Sequence, residues 1–184
     1  MTRRVWLSCG AMLLGSAVLF GSGVIVRAAD LAIRIVPIVS QDDVVVSFEG
    51  TEAYTDEVRA AISSGLRTTF TYEVELRMVV PTWVDRTIAT SVVTISDQYD
   101  NLTRRHMLSR TIDGRVDQAS ATEDEAVVKR WLTSISRLPL TQTKTLDQSR
   151  DYYVRIRARV RPLGASLLGW ASAISGEAKF TFVP

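Results

Sequence analysis

Arg155, Arg157, Arg159 and Arg161 alternate with Tyr152, Val154, Ile156, Ala158 and Val160. Successive side chains of an extended strand point to opposite faces, so this spacing sets four guanidinium groups in one row. Guanidinium groups recognise carboxylates and phosphates through a fork of donors, and four in a row repel one another. The row therefore calls for a counter-charge, which solvent, acidic residues on neighbouring strands or an anionic ligand can supply. Glu73 and Glu75 alternate in the same manner with Phe70, Tyr72, Val74, Leu76 and Met78. Cross-strand pairing with those two carboxylates is the favoured reading, because opposite charges commonly face each other on the wet side of antiparallel sheets.

Directly after the row, residues 162–176 carry no charge, while Leu167, Trp170, Ala171 and Ile174 fall at helical spacing. Core packing is the favoured role for that segment. Taken with the arginine row, Trp170 also suits a contact surface for an envelope protein or an anionic membrane.

Other reactive side chains are few. His106 is the single histidine and follows Arg104 and Arg105. Adjacent positive charge disfavours an imidazolium and repels a metal ion, and one histidine without cysteine builds no ordinary zinc site. A surface or edge-strand histidine is the expected reading, since no nucleophile-elbow pattern marks a serine for it to activate. Glu73 and Glu75 lie about 7 Å apart along a strand face, within range of a water-mediated hydrolase, yet a solvated face explains them as well. Glu123, Asp124 and Glu125 suit the first turn of a helix, where carboxylates complement the dipole. No catalytic residue, metal site or cofactor is expected.

The elements that would position these side chains follow from periodicity and turn chemistry. Residues 32–39 and 44–49 form a hairpin about Ser40, Gln41, Asp42 and Asp43. Thr55 caps a short helix with Val58, Ala61 and Ile62 on one face, and Gly65 ends it in a left-handed conformation. Residues 70–80, 87–96 and 103–112 read as strands, and Asp113-Gly114 reads as a tight turn into a short strand over 115–118. Thr122 and Glu125 form a capping box for a helix carrying Val128, Trp131, Leu132 and Ile135, stopping before Pro139. A polar connection over 141–150 leads into the arginine strand, and residues 177–183 close the chain as a strand with Phe180 and Phe182 facing the core. The expected class is α+β: a mostly antiparallel sheet of seven or eight strands covered by two or three helices on one side.

The first 28 residues change what the composition means. Arg3 and Arg4 precede an uncharged apolar run over 5–26, and Val26-Arg27-Ala28 offers small residues at an export peptidase's spacing. Residues 1–28 are therefore a signal peptide or an uncleaved signal anchor, and 29–184 a single exported domain, periplasmic or held on the outer side of the inner membrane. General secretion is favoured over the twin-arginine route that Thr2-Arg3-Arg4-Val5-Trp6-Leu7 resembles. Of 22 basic residues the leader holds three arginines, which leaves 19 against 20 acidic residues. A nearly neutral domain offers no general field for nucleic acid, so none is expected as a partner. Cys9, the only cysteine, lies within the apolar run, so the exported part has no disulfide.

Three stretches, 70–77, 99–104 and 152–157, together with the helix closed by Gly65 and the one ending at Pro139-Leu140, are similar to an exported bacterial family, domain of unknown function 4390. The arginine alternation belongs to that pattern. The resemblance implies an envelope protein, often encoded near a nitrogen-regulation-type sensor kinase, and it carries over no catalytic residues. The expected function is a non-enzymatic binding or interaction module, possible partners being an envelope protein such as a membrane sensor kinase or an anionic membrane surface. The alternatives are a cofactor-free hydrolase of envelope material and a peripheral binder of anionic lipid.

Overall fold

A computed structural model describes residues 33–40, 42–162 and 172–180. The chain there is β-rich, with nine strands in two antiparallel sheets and two α-helices among the described residues. The strands are β1 (Arg34–Val39), β2 (Asp43–Glu49), β3 (Thr68–Met78), β4 (Arg86–Asp100), β5 (Arg105–Ile112), β6 (Arg115–Thr122), β7 (Ser134–Gln142), β8 (Tyr152–Pro162) and β9 (Ser172–Phe180). The helices are α1 (Asp56–Ser63) and α2 (Glu125–Thr133). The larger sheet runs β6-β5-β4-β3-β8-β9 and the smaller β1-β2-β7. The second sheet is the main departure from the single helix-covered sheet that periodicity predicts.

One face of the larger sheet is apolar. Phe70, Tyr72, Val74 and Leu76 of β3, Val93 and Ile95 of β4, and Val154 and Ile156 of β8 are fully buried there. The smaller sheet and both helices cover this inner face, sending Val44, Val46 and Phe48, Val58 and Ile62, and Val128 and Leu132 into the same core. Tyr72 ties the layers together: its ring lies 4.9 Å from that of Phe48, and its hydroxyl donates to the Leu132 carbonyl at 2.7 Å.

Several expected local signals operate. Thr55 Oγ1 accepts from the Val58 amide, Gly65 has φ +83°, and Asp113 and Gly114 both take positive φ at their hairpin. Others are corrected. Thr122 does not cap α2; it ends β6, and Asp124 is the cap, its Oδ1 accepting from the Ala126 amide at 2.8 Å. Helix α2 stops at Thr133, so Ile135 is buried from a strand and Pro139 lies within β7. Proline is tolerated there because β7 is an edge of its sheet. Residues 172–176 are strand rather than helix, and Ile174 reaches the core from β9. Antiparallel pairing along Val160 to Tyr152 outweighs the weak strand preference of these alanine, serine and glycine residues. Leu167, Trp170, Ala171 and Phe182, like residues 1–28, lie outside the described residues.

Candidate functional site

The outer face of the larger sheet carries the arginine row, and its register decides which charges are balanced. Glu73 stands opposite Arg157 and Glu75 opposite Arg155 on β3 and β8, while Glu177 of β9 stands opposite Arg155 from the other side. Arg157 reaches both Glu73 and Glu75 at 3.5 Å, and Arg155 Nε donates to Glu177 at 2.6 Å. That hydrogen bond holds the Arg155 guanidinium above its ordinary pKa. Arg77 adds a contact to Glu75 at 3.3 Å. The favoured pairing with Glu73 and Glu75 is thus made by Arg157 alone of the four arginines, while Arg155 finds its carboxylate, Glu177, on β9.

Arg159 and Arg161 differ. They face Thr71 and Thr69 on β3, and Arg159 faces Ala173 on β9. Both are exposed and neither makes an ion pair with a carboxylate among the described residues, whereas Arg155 and Arg157 are half-buried. Arg67, just before β3, joins them at the same end, its Nη2 donating to Ser96 Oγ at 3.2 Å. Beside these three cations the face continues as hydroxyls: Thr71, Thr94 and Thr111 in one rank, Thr69, Ser96 and Ser109 in the next. A groove of about 420 Å³ follows β8 and β9, lined by Arg155, Arg157, Arg159, Ser175 and Glu177. Chemically, this end can accept carboxylate or phosphate groups and hydrogen-bond their surroundings. The sequence places the row on one face; which members lack an acid depends on β3 and β9 pairing.

The opposite end of the outer face holds an aromatic that sequence reasoning passed over. Trp83 is 81% exposed in the loop between β3 and β4. Asp85 braces that loop: it accepts from Tyr153 Oη at 2.8 Å and from the Val80 amide at 3.2 Å, and its carbonyl accepts from Arg77 at 2.8 Å. The Tyr153 hydroxyl bond, with the Val80 amide, keeps the Asp85 carboxyl below its usual range. The one available signal was Pro81-Thr82-Trp83, a large aromatic in a turn rather than in either flanking strand.

His106 is corrected outright. It lies on β5, second from the edge, and is buried on the inner face with Nδ1 2.8 Å from Asp97 Oδ2 and its ring 4.6 Å from that of Tyr99. Arg105, one residue away, necessarily points to the other face, which removes the like-charge neighbour the sequence suggests. Asp97 escaped notice because the strand was expected to end at Ser96. Burial raises its carboxyl above the ordinary value. Tyr54 shares this region, its hydroxyl pushed up to about 12, mainly by burial. Among the described residues neither Asp97 Oδ1 nor Tyr54 Oη has a hydrogen-bond partner. His106 does not line the groove along β8 and β9, and the carboxylates weighed as an acid–base pair, Glu73 and Glu75, are engaged by arginine. Glu123 and Glu125, beside the α2 cap, pair with Arg105 and Arg59 at 3.6 Å.

Among the described residues no group of histidine, cysteine, aspartate and glutamate side chains is arranged to hold a metal, and no helix is long and apolar enough to cross a membrane. No curated protein and no solved structure matches the chain. A family pattern does match, over residues 31–164, which takes in the outer face from β3 to Arg161. By that match the chain belongs to the family described as domain of unknown function (DUF4390).

Proposed function

We propose that this is an exported, non-enzymatic interaction module that docks an acidic surface of an envelope protein on the cationic end of its outer sheet face. One observation carries the reading: the arginine row is only half compensated, with Arg159 and Arg161 exposed opposite threonines while Arg155 and Arg157 are paired. Unpaired guanidinium groups on a rigid strand offer geometry as well as charge to a carboxylate-rich partner. The leader supports an envelope location, and a membrane sensor is the kind of partner that location makes available. A photocrosslinking residue at Thr71 in intact cells should capture an envelope protein. Arg159→Glu combined with Arg161→Glu should abolish the adduct, while a probe at Val116 on β6 should give none. An adduct that survives the charge reversal, or no adduct at all, would refute the docking reading. Co-sedimentation with phosphatidylglycerol vesicles, lost in the same double variant, would move the site to anionic lipid.

A second reading, a cofactor-free hydrolase, draws on the His106–Asp97 pair, which resembles the base and orienting acid of a triad. The residue opposite His106 on β6 is Thr122, whose Oγ1 already accepts from the Asp124 amide at 3.1 Å. That arrangement supplies no activated nucleophile, so the interaction reading is preferred.

A further inference from the structure

On the inner side of the fold, Arg110 projects from β5 beneath the end of α2. Its guanidinium stacks 4.4 Å from the Trp131 ring centroid, and the side chain is only 17% exposed. For a cation so withdrawn from water it has little compensation, its ion-pair partner among the described residues being Asp117 at 4.0 Å. Desolvation accordingly lowers its pKa. Two buried donors at this place meet no acceptor among the described residues: Arg110 Nε and Trp131 Nε1. The residues that carry them, Arg110 and Trp131, line a recess of about 210 Å³ together with Val127, Arg130, Ser134 and Ser136.

The nearby helix end does not satisfy these donors. The Lys129 carbonyl is taken by Thr133 Oγ1 at 2.8 Å, and the Arg130 carbonyl by Ser134 Oγ at 2.7 Å and by the Ser134 amide. Arg130 stands at the rim, exposed, and brings a second positive charge with no ion pair among the described residues. Arg110, Arg130, Trp131 and two serines thus line a small recess that has no carboxylate among its lining residues. Buried donors without acceptors are rare, because each forfeits its hydration without return.

We propose that this recess binds a small oxyanion, a carboxylate or phosphate group, held by Arg110 and the Trp131 indole N–H with Arg130 closing the rim. The site is independent of the outer face, since Arg110 and Arg159 belong to opposite sides of the sheet. Its volume admits a headgroup rather than a polypeptide, and Val127 with Trp131 gives that headgroup an apolar shoulder.

The test is a titration of the full chain, labelled with nitrogen-15, following the Trp131 indole N–H resonance, which Trp131→Phe identifies. Propionate and inorganic phosphate are added separately at constant ionic strength. At least one should shift the resonance saturably, with a midpoint near or below ~1 mM. Saturation by propionate alone identifies a carboxylate site, and saturation by phosphate identifies a phosphate site. Arg110→Lys keeps the charge but loses the planar fork, and should weaken binding by about tenfold. Arg130→Gln, at an exposed position, should weaken it several-fold without disturbing the fold, and decides the matter if Arg110→Lys does not fold. Absence of a saturable shift with either probe, or a midpoint unmoved by Arg130→Gln, would overturn the proposal and leave Arg110 as the packing contact between α2 and β5.

Discussion

Asp97 is fully buried, with one oxygen against His106 and the other without a hydrogen-bond partner among the described residues. Burial raises its pKa above 3.8, so the folded chain holds this proton more tightly than the unfolded chain does. Its contribution to stability is then complete below the unfolded value and fades as the pH rises through the raised folded value. Asp97→Asn keeps an oxygen for His106 and removes the titration. Relative to that variant, the parent should lose stability as the pH climbs through the range above 3.8, read as urea midpoints. Parallel midpoints across that range would contradict the assignment. Asp97→Ala leaves the buried imidazole nitrogen without its partner and should cost about 1–3 kcal/mol. Proximity in sequence did not reveal the pair. Asp97 and His106 are nine residues apart, and only the β4–β5 pairing, in which Asp97 faces Leu108 and Tyr99 faces His106, sets them side by side.

At the scale of elements, the joint between the sheets rests on a glycine. A Cβ on Gly176 of β9 would lie 2.8 Å from the Ile33 carbonyl oxygen and 3.1 Å from Ile33 Cβ, so β1 can approach β9 this closely only where no side chain intervenes. Gly176→Val should therefore lower stability by about 2 kcal/mol, measured by denaturant unfolding. Gly114→Ala is the comparison: its Cβ meets nothing within 4 Å, and it suffers only the strain of φ +78°. Equal losses in the two variants would show that packing at the joint is not what Gly176 serves. Element existence was widely legible, since Phe70 to Met78 alternates and Asp113-Gly114 marks its own turn. Element ends were not. Strand β4 carries on from Asp97 to Asp100, although both aspartates disfavour strands locally, because β5 supplies a partner to each of these four residues. Helix α2 yields at Ser134 because the following residues pair with β2.

Across the whole molecule, one continuous core joins both sheets and both helices, with Tyr72 touching Phe48 of the smaller sheet and hydrogen-bonded to α2. Neither sheet has a separate apolar interior to retain once the other leaves. Unfolding should therefore be a single transition, with far-ultraviolet circular dichroism and the fluorescence of Trp131, isolated by Trp6→Phe, Trp83→Phe and Trp170→Phe, giving the same midpoint. Separate midpoints would mean that the sheets are independent units. The molecule is also polarised: its outer face is balanced by Glu73, Glu75 and Glu177 toward the Trp83 loop and cationic toward Arg161.

The sequence by itself determined the period-two strands, the helix begun at Thr55, the left-handed Gly65 and the alignment of four arginines on one face. Those features depend on local geometry, on side chains alternating across a strand and on caps that satisfy a helix's first amides. The family could be read from the same stretches, and the match over residues 31–164 shows it. Only the tertiary structure decided that the strands divide into two sheets, that Arg159 and Arg161 lack the acids given to Arg155 and Arg157, and that His106 meets Asp97 away from water. Each of these is a matter of partners distant along the chain, and register, not composition, chooses them.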